Sequence, residues 1–254
     1  MFEKMLKSYI LIVKVKSVKM HMAFTLSEVI ITLGIIGIVA VMTLPALIGN
    51  YQKHVTVNKL KKSYTTLAQM FVRAQEENGG METWDFSSLG DLSQANAFNE
   101  VLPKIAQTYF LPYLDVLQDC GTSCKRVRKN NYKWLNNQLI NQYDSKLYYT
   151  IFLKDGSIIF FSVNNNGVKL FDILISVDIN GDKGPNVTGK DVFNYYLNAG
   201  NVSRTNFWGL TGTNIKREKL LNDSGRGCNK NANGQYCGAL IQYDGWKISD
   251  DYPW

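Results

Sequence analysis

Histidine is nearly missing from this 254-residue chain, which has two, His21 and His54. No phosphate-binding loop, no Gly-x-Ser-x-Gly elbow and no metal triad can be assembled, so catalysis has little to start from. Paired carboxylates such as Asp250 and Asp251 are neighbours on a tail rather than a facing acid/base pair. The chain therefore reads as non-enzymatic. Cysteine is sparse too: four residues in two close pairs, Cys120/Cys124 and Cys228/Cys237. No histidine or third cysteine lies near either pair, which argues against zinc. A strong excess of charge is also lacking. The formal net charge of +7 falls to +3 without the five lysines and one glutamate of residues 1–23. That bias is too weak to point to nucleic acid as a partner.

The most informative absence is local. No charged residue occurs from Val29 to Leu44, and the run stays uncharged through Gly49. As a helix, the roughly 26 residues from Phe24 to Gly49 extend about 39 Å, enough to cross the roughly 30 Å hydrocarbon core of a bilayer. Glu28 breaks the pattern. A carboxylate inside such a segment is costly and by default marks function. Lys4, Lys7, Lys14, Lys16 and Lys19 precede the run and hold that end cytoplasmic, so everything beyond Gly49 lies across the membrane. Residues 1–23 are too short and too interrupted by lysine to span, and they are set aside as a leader. Met20 and Met22 are alternative starts that would shorten it. Pro45 removes a backbone hydrogen bond and predicts a bend near residues 41–46.

At the head of the run stands a small residue, Ala23, followed by Phe24-Thr-Leu-Ser-Glu28-Val29. This resembles the type IV prepilin signal of pilins and of the pseudopilins of type II secretion. The resemblance covers about the first fifth of the chain, with Ala23 where the family usually has glycine. It implies that a prepilin peptidase cuts between Ala23 and Phe24 and methylates Phe24, making Glu28 the fifth residue of the mature chain. It further implies a structural subunit of a type IV pilus or secretion pseudopilus, polymerised through its N-terminal helix. Glu28 would pair with a neighbouring subunit's terminal amine, and Pro45 would lie where the helix loosens in the filament. The implied partners are the peptidase, other subunits, an inner-membrane assembly platform and membrane lipid. The implied location is the inner membrane and then a periplasmic or extracellular filament. The competing reading is a single-pass membrane-anchored ectodomain with a ligand-binding or adhesive role.

Beyond Asn50 the helix changes character. Val57, Leu60, Tyr64, Leu67, Phe71 and Ala74 recur at spacings of three and four, while lysines and polar residues fill the other faces. One apolar stripe predicts a helix lying on a globular core, ended by Asn78-Gly79-Gly80. His54, on this helix, reads as a surface or interface residue. The expected class is α+β: a transmembrane helix over 24–49, an amphipathic half over 50–80, then a head over 81–254. In the head, residues 81–146 read as a helical insertion. It holds a short helix from Ser93 to Leu102 and a second beginning at Pro103. Residues 147–153 and 157–163 flank Lys154-Asp155-Gly156 as a hairpin, with a third strand over 169–177 after a turn at 164–167. A three- or four-stranded antiparallel meander would cover the helix stripe, and the terminal segment from Ala239 reads as an apolar strand followed by aromatic residues that pack onto the head.

Asp178, Asn180 and Asp182 alternate like the opening of a calcium loop, with Asp191 a later carboxylate, so Ca²⁺ is the cation such a set would take. Lys183 and Gly189 stand where an EF-hand needs Gly and Glu. The other reading is a rigid Gly-Pro-Asn turn capped by Asx hydrogen bonds. For the cysteines, the oxidising far side of the membrane favours local disulfides. Cys228 and Cys237 bound a region resembling the disulfide loop near the C-terminus of many pilins. Cys120–Cys124 is the tighter pair, and cross-pairing is the alternative.

Overall fold

The structure, a computed structural model, describes residues 25–84, 97–164, 172–198, 206–207, 209–210 and 215–254. Ala23, Phe24 and the leader, the Ser93 cap, the turn at 165–167 and the start of the third predicted strand lie outside the described residues. The chain divides into two compact units, 1–49 and 50–254.

Helix α1 is unbroken from Leu26 to Asn78, through Pro45. Among the described residues of the first unit, no large apolar side chain is buried, and Val41 and Met42 are about three-quarters exposed. In the second unit the same helix buries Val57, Leu60, Leu67, Met70, Phe71 and Ala74, with Tyr64 half-buried against that core. The stripe read from the sequence is therefore the packed face, widened by Met70. Gly79, at φ +81, closes the helix in the left-handed conformation that suits glycine.

The sheet has six strands in simple meander order, all antiparallel. They are β1 (Val116–Thr122), β2 (Tyr149–Leu153), β3 (Ile158–Asn164), β4 (Asp172–Asp178), β5 (Val192–Asn198) and β6 (Asn206–Phe207). The expected hairpin joins β2 to β3, where Asp155 Oδ1 accepts from the backbone N–H and the hydroxyl of Ser157. The expected three or four strands are thus corrected to six. Alternation sorts the side chains into two cores. Ile151, Ile159, Phe161, Ile175, Val177 and Tyr195 join the core that includes the buried face of α1, while Phe152, Ile158, Phe160 and Val192 join a second. That second core is closed by Cys124, Val127, Tyr132, Ile140 and Tyr143.

The described part of 81–146 is not helical throughout: beside a helix it supplies edge strand β1 and the cover of the sheet's second face. Its helix α2 (Ala97–Ile105) carries Pro103 inside it and runs on through a π turn, Ala106–Phe110, and a 3-10 turn, Leu111–Tyr113. No second helix starts at Pro103, because the apolar residues on both sides of it, Val101, Leu102, Ile105 and Ala106, are fully buried and hold the backbone in register. The terminal apolar segment is a helix, α4 (Cys237–Tyr243), not a strand, and it follows the shorter α3 (Arg217–Asn222). Short apolar runs are ambiguous between strand and helix. Here a helix lets Gly238 lie against Phe207, where a Cβ would meet the ring at 2.5 Å.

Candidate functional site

The first site is the head of α1. Thr25 N–H donates to Glu28 Oε2 at 2.8 Å and the Thr25 hydroxyl donates to the same oxygen at 2.9 Å, while Glu28 N–H donates to Thr25 Oγ1 at 3.2 Å. This reciprocal arrangement is a capping box, in which an N-cap threonine and the glutamate three residues later satisfy each other's orphan backbone donors. Glu28 thus sits at the positive end of the helix dipole, with apolar side chains exposed on every side of the turns that follow. The spacing Thr25-x-x-Glu28 is visible in the sequence, and the capping role of Thr25 is the part that the functional reading of Glu28 passed over. Farther along, Thr43 Oγ1 donates to the Val39 carbonyl at 2.9 Å. Pro45, with no N–H, leaves the Val41 carbonyl without its helical donor.

The second site is the β4–β5 connection, where Asp178, Asn180, Asp182 and Asp191 fall. Asp178 is fully buried at the end of β4. Its Oδ1 accepts the N–H groups of Asn180 and Gly181 at 3.0 and 2.8 Å, and its Oδ2 accepts the Tyr132 hydroxyl at 2.7 Å. Asp191, also buried, takes the N–H groups of Asn186 and Val187 at 2.7 Å each. Asp182 is exposed and turns to Arg126 at 3.1 Å and Asn130 at 3.3 Å. The carboxylates therefore serve three different sets of donors, the pattern of Asx-capped turns around a cis Gly184–Pro185 bond. Among the described residues, no three His, Cys, Asp or Glu side chains are grouped to share a metal ion. Burial pushes the Asp178 carboxyl up to about 7, against its hydrogen bonds from Tyr132 and the backbone, and the nearby Asp191 adds to the rise. Burial likewise raises the carboxyl of Asp191. The phenol of Tyr132 is raised by burial first and by the Asp178 charge second.

The cysteines form the two local pairs, Cys120–Cys124 and Cys228–Cys237. The second is wholly buried beside α4. The C-terminal aromatic residues pack inward. Trp246 makes edge contacts with Tyr64 and Phe207, the Tyr252 hydroxyl donates to the Gly189 carbonyl, and Arg217 forks between Asp244 and Asp251 at 2.6–2.8 Å.

The chain belongs to the family of unknown function DUF6613, whose profile matches residues 46–254. No curated protein and no solved structure is similar to it. Among the described residues, one helix, Leu26–Asn78, is long and apolar enough near the N-terminus to cross a membrane.

Proposed function

We propose that this protein is a non-enzymatic structural subunit of a pilin-like filament, a type IV pilus or a secretion pseudopilus. It is processed after Ala23, methylated at Phe24 and polymerised through the first half of α1. The observation that carries the reading is a lone carboxylate, Glu28, four residues after Phe24 in the sequence and at the head of a helix whose next twenty residues expose only uncharged side chains. Cleavage frees a cation at Phe24. A carboxylate and an amine in hydrocarbon are each costly alone and far less so together. A neighbour offset by about one turn would bring its amine beside Glu28, so the pair would set the register of assembly.

The support is the motif from Ala23 to Val29, the uncharged length of helix and the α+β head closed by two disulfides. The test is co-expression of the full chain with a prepilin peptidase, followed by intact mass and N-terminal sequencing of the membrane fraction. The expected product begins at N-methylated Phe24. A product that keeps Lys4 to Lys19, or begins elsewhere, overturns the reading and leaves an anchored ectodomain.

A further inference from the structure

A cavity of about 410 Å³ opens in the second unit between α1 and the β4–β5 connection. Its walls include Tyr51, Thr56 and Lys59 from the helix, Pro185 and Lys190 from the connection, and Trp254. The volume falls in the range of small-molecule sites, which are largely apolar with a few convergent polar groups. Here two of the wall residues are lysines. Lys59 and Lys190 come from elements far apart in sequence, and neither side-chain ammonium has a hydrogen-bond or ion-pair partner among the described residues. The acidic groups on the wall are Asp191 and the terminal carboxylate of Trp254. Asp191 has its oxygens turned to the backbone N–H groups of Asn186 and Val187, and neither acid is in ion-pair contact with Lys59 or Lys190 among the described residues.

We infer that this cavity binds an organic phosphate. Two ammonium groups on separate elements are compact point charges suited to a multiply charged tetrahedral anion, and no guanidinium fork is present to select a planar carboxylate. The hydroxyl of Thr56 adds a donor. Tyr51, Pro185 and Trp254 offer flat and apolar surface to the organic part, which inorganic phosphate lacks. A phospholipid head or a water-soluble phosphate ester would present the same chemistry.

The experiment is a thermal-unfolding titration of the full chain in a neutral detergent. The probes are phenyl phosphate, dihexanoyl phosphatidic acid, inorganic phosphate and phenol. Lys59→Gln and Lys190→Gln are measured beside the wild type, Lys59 being exposed enough that its loss leaves the fold intact. Phenyl phosphate is expected to raise the Tm of the wild type by about 5 °C at a hundredfold excess over its Kd, with at least half of the shift lost in each variant. A shift with the short-chain lipid alone supports the inference and assigns the source to the membrane; a shift with phenyl phosphate assigns it to solution. A shift reproduced in full by inorganic phosphate or by phenol, one retained in both variants, or no shift with any probe overturns it. None of these readings depends on processing at Phe24, so the two proposals fail separately.

Discussion

At the scale of single residues, Glu28 caps α1 and, on the proposed reading, also pairs with a neighbouring subunit, and one substitution separates the two. In the capping box its oxygen accepts from Thr25, a task that glutamine also performs. As the proposed partner of a neighbouring amine it must carry charge. Glu28→Gln is therefore expected to keep the helix cap and membrane insertion yet lose filament incorporation. Incorporation of the Gln variant at wild-type level, scored by shearing and immunoblotting, would show that the cap alone matters. Asp178 supports a second prediction. Its folded-state carboxyl is raised to about 7 from an unfolded value near 3.9. Between those values the folded protein binds more protons than the unfolded chain, so this group's contribution to stability falls as pH rises through the window. Asp191 acts in the same direction. Asp155, Asp182, Asp244 and Asp251 are held low and lose their contribution only below about pH 4. From pH 5 to pH 7.5 the wild type should lose roughly 2 kcal/mol more stability than Asp178→Asn. Parallel denaturation midpoints for the two proteins across that range would refute the assignment.

At the scale of elements, the two disulfides differ in consequence. Cys228–Cys237 spans nine positions and is buried under α4, whereas Cys120–Cys124 spans four at the end of edge strand β1. Loop-closure entropy gives about 3 kcal/mol for the longer link and about 2 kcal/mol for the shorter. Replacing both Cys228 and Cys237 by serine should lower the Tm by about 6–10 °C, with a smaller drop for the Cys120/Cys124 pair. Equal or reversed drops in calorimetry would show that strain or residual structure decides. Elements also show where the sequence was legible. The stripe from Val57 to Ala74 and the hairpin around Asp155-Gly156 were readable because each rests on local periodicity and turn chemistry. Strand β1 was not, since no residue of Val116–Thr122 is fully buried and its burial alternates weakly, and its pairing with β2 includes two register shifts. The helix at Cys237–Tyr243 was hidden because Ala239-Leu-Ile fits either state and only Phe207 and the disulfide decide between them.

At the scale of the whole molecule, exposed apolar residues concentrate in the first unit, from Leu26 to Ile48, while the second unit encloses its own cores. Residues 50–254 expressed alone should then be monomeric without detergent and keep the near-UV circular dichroism of the full chain. Aggregation or loss of that signal would mean the head depends on the first half of α1 for its fold.

From its sequence alone the chain determined an uncharged helix of membrane length, the acid at its head and the packed stripe beyond it, and favoured local pairing of the cysteines. Each of these is a matter of composition or of spacing along one element. Only the tertiary structure decided that residues 120–148 roof the far side of the sheet. It alone turned the carboxylates after β4 to separate donors, and brought Lys59 and Lys190 to one cavity. Those outcomes depend on contacts between residues distant in the chain, which no local period encodes.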